Sequence, residues 1–171
     1  MGDIDIMAET EIDGRIVSET CNVWDTLFYD KATNGTGEKN TNWNESNATA
    51  TPTSDGTVLS NSSDNFGYYR TTQTFNSPIS IEFDIVYSGT CGIDLNASGS
   101  HRMTFSDLGV VTGKSIKLVY DGETIKCYID GSSTPSKTFT PSESYSNFKF
   151  GFYIRNSSST LTYKNLKIYS A

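Results

Sequence analysis

The sequence has one histidine, three cysteines and four prolines in 171 residues, and no long apolar run. One histidine and no two cysteines at metal-ligand spacing leave no zinc constellation. Three cysteines exclude a complete disulfide framework within one chain. Cys91 could pair with Cys21, while Cys127 reads as a small core residue. No run approaches the ~18 apolar residues of a transmembrane helix, so no membrane insertion is expected. The N-terminus is acidic and lacks an apolar h-region, so no secretory signal peptide is expected. Positive charge is also scarce. Lys and Arg number 13 against 20 Asp and Glu, a net charge of −7. No basic stripe is visible, which argues against nucleic acid and against an anionic membrane surface.

What is present suits sheets. There are ten Tyr and nine Phe, and the polar excess is Ser, Thr, Asn and Gly rather than charge. The organising stretch is 115–131, SIKLVYDGETIKCYIDG. Ile116, Leu118 and Tyr120 alternate with polar neighbours, as do Ile125, Cys127 and Ile129. An Asp121-Gly122-Glu123 turn between two such runs predicts a β-hairpin with one buried face. Residues 79–87 (ISIEFDIVY) alternate most clearly, with Ile79, Ile81, Phe83, Ile85 and Tyr87 on one face. Residues 66–75 place Tyr68 and Arg70 opposite Tyr69, Thr71 and Phe75. Residues 147–155 place Phe148, Phe150, Phe152 and Ile154 inward.

Other segments read as follows. Strands are expected at 22–30, 57–60, 91–95 and 102–105, with a turn at 96–101. Residues 156–159 read as a turn before the last strand, 160–169. Leu161 and Tyr163 differ in parity from Leu166 and Ile168, which predicts a β-bulge near Lys164-Asn165. Residues 31–55 form a polar surface excursion in which Trp43 stands alone, either as a hydrophobic plug or as a flat stacking face. Residues 134–147 form a loop anchored by Phe139. Residues 1–21 read as an acidic N-terminal arm or small hairpin, a possible attachment segment, ahead of one domain over 22–171. Ten to eleven strands and no convincing helix mean an all-β sandwich or barrel.

The pieces FYD, ISIEFDI, KLVYDGETIKCYIDG, FKFGFYIRN and LTYKNLKIY, in that order over about 25–171, resemble the concanavalin-A-like and laminin-G-like jelly-roll sandwiches. The resemblance implies an antiparallel jelly-roll β-sandwich with a short N-terminal arm. Such domains serve as carbohydrate-binding modules, as glucanases and as phage surface proteins.

Retaining glucanases of that fold carry Glu-x-Asp-x-(x)-Glu, whose two glutamates act as nucleophile and general acid. Glu82 and Asp84 match the first half. Val86, Tyr87 and Ser88 stand where the second glutamate would be, so no catalytic residues are assigned. His101 reads as a solvated turn residue. Glycan sites combine aromatic faces with planar polar groups. Trp43, Tyr68, Arg70, Glu82, Asp84, Tyr128, Tyr153 and Arg155 are the candidate ligand residues, the last seven on one face if their strands are neighbours. Trp43, Asp94, Asn96, His101 and Arg102 offer a rim site instead. No metal site or cofactor is expected; Asp and Asn loops leave calcium open without EF-hand spacing.

The reading is therefore a non-enzymatic surface or adhesion protein, a phage or virion component at a virion or extracellular surface. Its expected partners are a glycan or host-surface polysaccharide and, through the arm, other proteins of a larger or oligomeric assembly. The alternative is a secreted carbohydrate-binding module or a degenerate glycoside hydrolase of the same fold. Sequons at Asn34, Asn44, Asn47, Asn61, Asn96 and Asn156 matter only in a glycosylating host.

Overall fold

The computed structural model describes residues 8–12, 15–19, 26–32 and 42–171. It is an antiparallel jelly-roll sandwich. Its spine is two long strands, β9 (Ile79–Asn96) and β14 (Asn147–Ser170), paired along their whole length. The alternating stretches at 79–87 and 91–95 are thus one strand, as are 147–155 and 160–169. The turn expected at 156–159 is a bulge inside β14 instead. There Gly89 and Asn156 have φ of 77° and 65°, and residues 156–159 face Gly89 alone. These residue types signal a turn in sequence, and here they bend a continuous ladder. Ser159, buried at the bend, accepts the Thr90 N–H (2.9 Å) and donates to the Arg155 carbonyl (2.5 Å). A Cβ on Gly89 would lie 2.5 Å from that hydroxyl oxygen.

On one side of the bend the first half of β9 pairs with β11 (Lys114–Tyr120), then β12 (Ile125–Ile129) and β13 (Lys137–Phe139). The second half of β14 pairs there with β3 (Thr26–Asp30) and with β6 (Gly56–Ser60), which carries β5 (Thr49–Thr53). This is the first sheet. On the other side, the second half of β9 pairs with β10 (Ser100–Thr104). The first half of β14 pairs with β7 (Phe66–Thr71), which carries β4 (Trp43–Ser46), and with the short β8 (Phe75–Asn76). This is the second sheet. A single helical turn, α1 (Phe105–Leu108), capped by the Thr104 hydroxyl, occupies part of the segment expected to be strand 102–105. Separately, β1 (Ala8–Ile12) and β2 (Arg15–Glu19) form a two-stranded antiparallel sheet.

The core lies between the sheets and is largely aromatic. Phe83 of the first sheet meets Phe152 of the second edge-on at 5.3 Å, and Phe152 meets Tyr163 at 4.7 Å. The hairpin over 115–131 forms with Ile116, Leu118, Tyr120, Ile125 and Cys127 buried. Its turn is held by Asp121, whose Oδ1 accepts the Glu123 and Thr124 N–H groups and whose Oδ2 accepts the Thr124 hydroxyl. Trp43 is the plug. It is 3% exposed, stacks on Tyr69 at 4.3 Å, and donates Nε1–H to Asp30 (2.8 Å). Asp30, itself buried, also accepts from Tyr163 (2.7 Å) and from the Ala32 N–H (2.7 Å). Three donors satisfy that carboxylate, which is the condition for burying it. The Trp43 ring is therefore not available to a ligand. The predicted bulge is present: the register shifts between Lys164 and Lys167, and Asn165 has φ of 53°.

Cys127 is fully buried. Cys91 is a buried thiol beside the Ser88 and Thr160 carbonyls (3.4 and 3.3 Å), and burial pushes its pKa up to about 12. The proposed partner Cys21 lies outside the described residues.

Candidate ligand-binding faces

The seven outward candidates do not share one face. Strand order separates them onto the outer faces of the two sheets. The first face holds Glu82, Asp84 and Tyr128. The second holds Tyr68, Arg70, Tyr153 and Arg155. Sequence alternation assigns each residue to a side of its strand but does not say which strands are neighbours.

On the first sheet one cross-strand row reads Tyr128, Lys117, Glu82, Lys167, Tyr29 over β12, β11, β9, β14 and β3. With strands ~4.8 Å apart, its ends are roughly 19 Å apart. The row crosses a groove of about 550 Å³, which Asp84, Ser115 and Asn165 also line. Tyr29 is 47% exposed. Glu82 faces Lys117, whose Nζ is 3.6 Å away, and accepts from the Tyr169 hydroxyl. Hydrogen bonding to Tyr169, helped by Glu82, raises the Lys117 pKa, which keeps that amine charged. Asp84 accepts from Ser115 Oγ and from Asn165 Nδ2 (2.7 Å). Asn165 reaches it because the bulge turns an extra residue outward.

A retaining glycosidase needs a second carboxyl ~5 Å across the scissile bond. Among the described residues lining the groove, Glu82 and Asp84 are the two carboxylates, adjacent on the same face of one strand. Their cross-strand neighbours are Lys117 and Lys167, and Ser115 and Lys164. The next position on that face is Val86, 59% exposed. Among the described residues no group of three His, Cys, Asp or Glu side chains could hold a metal ion.

The second face is built differently. One row reads Asn44, Arg70, Gly151, Asp94, Arg102 across β4, β7, β14, β9 and β10. The next reads Ser46, Tyr68, Tyr153, Gly92, Thr104, and a third pairs Phe66 with Arg155. Gly151 lies between Arg70 and Asp94. With no side chain in the way, Arg70 reaches across β14 and its Nε meets Asp94 Oδ2 at 2.6 Å. A Cβ on Gly151 would come within 2.7 Å of Arg70 Cγ. Gly92 plays the same part for Tyr153, since a Cβ there would be 2.6 Å from its Cε1. Tyr153 therefore lies on the outer face yet is only 2% exposed. Burial pushes its pKa up to about 12 against the pull of Arg102.

Three guanidinium groups lie over rings here. Arg70 Cζ is 3.8 Å from the Tyr68 centroid, and Arg102 and Arg155 are 3.9 and 5.2 Å from that of Phe66. Arg102 also donates to the Tyr68 hydroxyl, and Arg70 Nη2 donates to Ser100 Oγ (2.6 Å). Asp94 is fully buried, with Oδ1 accepting from no group among the described residues. Burial raises its pKa against the opposing pull of Arg70, Arg102 and His101.

Asp94 and Arg102 are thus sheet-face residues rather than a loop rim. His101 is not a solvated turn residue: it lies in β10, half-buried, 4.3 Å from the Tyr145 ring. Tyr29, Lys117, Asn165 and Lys167 of the first face and Phe66 of the second were missed. Strand parity marks Lys117 and Phe66 as outward, and the predicted bulge marks Asn165. Nothing local points to Tyr29 and Lys167, which depend on β3 docking beside β14.

No protein-family model and no curated protein matches the sequence. Solved structures share the fold. The carbohydrate-binding module CBM66 of Bacillus subtilis is 15% identical with a TM-score of 0.56, over 76% of this chain and 96% of that one. A Bacillus subtilis protein of unknown function with a galectin-like fold is 11% identical with a TM-score of 0.61, over 85% and 96%. The immunostimulatory antigen and pseudo β-1,3-glucanase of Mycobacterium tuberculosis is 10% identical with a TM-score of 0.62, over 86% and 99%. At these identities the likeness is one of fold, the concanavalin-A-like jelly roll that the strand order resembles.

Proposed function

We propose that this protein is a non-enzymatic glycan-binding module that holds a short oligosaccharide in the groove of the first sheet. The observation that carries the reading is the row from Tyr128 to Tyr29. Two tyrosines stand at its ends, and Lys117, Glu82 and Lys167 supply donors and acceptors between them. Ring faces take the C–H surfaces of a sugar, and charged groups take its hydroxyls. The span suits an oligosaccharide rather than one sugar. Sandwiches of this fold include carbohydrate-binding modules, which supports glycan binding in general. Against hydrolysis, both groove carboxylates lie on one strand, with Val86 at the next position on their face.

A role at a virion or extracellular surface extends this proposal. Its support is the β1–β2 hairpin, which pairs with no other described strand and so leaves an attachment element.

The test is binding of the full chain to neutral glycans, with and without chelator. Tyr29→Ala and Tyr128→Ala are each expected to weaken binding about tenfold, or about 1.4 kcal/mol. Undiminished binding by the double variant would exclude this groove. Hydrolysis of a bound glycan, abolished in Glu82→Gln, would make the protein an enzyme. Chelator sensitivity would add calcium.

A further inference from the structure

The chain has four arginines, and three of them, Arg70, Arg102 and Arg155, converge on the outer face of the second sheet. This happens in a chain of net charge −7. The acids facing the cluster are Asp94, which is buried and paired with Arg70, and Asp107 of α1, which acts on Tyr153. Lys149 lies on the same face of β14. Arg102 and Arg155 are exposed, and among the described residues no carboxylate is paired with either.

We infer that this face is a second binding site, separate from the groove, selective for an acidic polysaccharide whose carboxylate or sulfate groups are received by Arg102 and Arg155. Four features support it. Phe66 lies under both guanidinium groups, and the N–H groups that Arg102 does not give to Tyr68, with those of Arg155, can meet an oxyanion. Arg102 is fixed further by Tyr68, whose ring is in turn covered by Arg70. Asp94 and Ser100 hold Arg70, so it is a positioning residue here rather than an anion ligand. Screening at physiological salt acts over ~8 Å, so acidic residues elsewhere on the chain do not cancel the local charge.

The saccharide class follows from geometry and charge. The aromatic surface beside the arginines is partly open: Phe66 and Tyr68 are half-buried rather than covered. A sugar ring can rest there while its acid group reaches the arginines. Two cations fit a chain bearing one acid group per sugar or disaccharide better than the dense phosphate ladder of a nucleic acid, which calls for a longer basic track.

The experiment uses the full chain and four probes: polygalacturonate, dextran sulfate, neutral dextran and single-stranded oligodeoxythymidine. Binding is measured by calorimetry or interferometry at low and physiological salt. Polygalacturonate or dextran sulfate is expected to bind at least tenfold more tightly than neutral dextran, and the stronger of the two names the acid group. Arg102→Ala with Arg155→Ala should weaken that binding at least tenfold. Arg155→Lys should also weaken it, because the charge remains and the fork is lost. Both arginines are exposed, so unchanged melting curves serve as the folding control. The Tyr29→Ala/Tyr128→Ala variant should bind the acidic probe unchanged, which separates this site from the groove whatever becomes of the groove reading. Absence of binding to both acidic polysaccharides, equal binding by the double arginine variant, or tighter binding of the oligonucleotide would each overturn the proposal.

Discussion

The two outer faces rest on the same pair of strands and follow the same alternation, yet one is open and the other closed. On the first sheet, every position in the central row carries a long side chain, and Lys117 and Glu82 remain 41% and 38% exposed. On the second sheet, glycines stand at two positions, and the neighbouring side chains lie down over them. Asp94 is removed from water entirely, while Arg70 keeps 20% of its side chain exposed. Alternation therefore decides which way a side chain points. Whether it stays in solvent is decided by what stands beside it on the next strand. The open face can adapt to a ligand, whereas the closed face presents a fixed arrangement.

The sharpest way to break this contrast is to remove the carboxylate from each ion pair. Asp94→Ala leaves a partly buried guanidinium without its partner and should cost about 3 kcal/mol in chemical denaturation. Glu82→Ala removes an exposed partner and should cost under about 1 kcal/mol. Equal costs would show that the two faces do not differ in rigidity. A smaller effect comes from adding one methyl group. Gly92→Ala places a Cβ 2.0 Å from the Met103 carbonyl oxygen, which belongs to backbone and must move. About 2 kcal/mol is expected, against less than about 1 kcal/mol for Ser115→Ala on the open face.

The smallest effects are in pH dependence, and they have opposite signs. Asp94 has a raised pKa, so the folded state holds its proton more tightly than the unfolded state does. Its contribution to stability falls as pH rises above the ordinary carboxylate range near ~4. Asp121 is lowered to about 2 by the N–H groups of Thr124 and Glu123, and its contribution is lost as pH falls from ~4 towards that value. Melting temperatures of Asp94→Asn and Asp121→Asn, each relative to the parent, should therefore diverge in opposite directions across acid pH. Parallel profiles would contradict one of the two assignments.

Local features of the fold were legible. The hairpin at 115–131, the inward sets of 79–87 and 147–155, and the bulge at Lys164-Asn165 all follow from side-chain parity. Gly151, which parity puts on the outer face, is where Arg70 crosses. The candidate site was legible residue by residue but not as a site. Tyr68 and Glu82 are both outward, and only long-range pairing separates their faces. Tyr153 is outward yet buried, because Gly92 lies beside it on a strand far away in sequence. Trp43 is surrounded by polar residues in sequence, yet its plane is taken by Tyr69 and its N–H by Asp30. Gly89 and Asn156 look like chain reversals, and only their position opposite each other in one ladder makes them a bend.

That bend has a consequence for how the molecule is made. β14 is an interior strand of both sheets, with neighbours on each side in each. Until residue 155 has left the ribosomal tunnel, β7 and the second half of β9 lack the strand they dock against, and until residue 170 has left it, β3, β6 and the first half of β9 lack theirs. The first sheet cannot close until the last residues of β14 have emerged, whereas the second needs β14 only as far as Arg155. The aromatic inner surface of the second sheet therefore stays uncovered until the first sheet is complete, and the sandwich closes only after translation has passed residue 170.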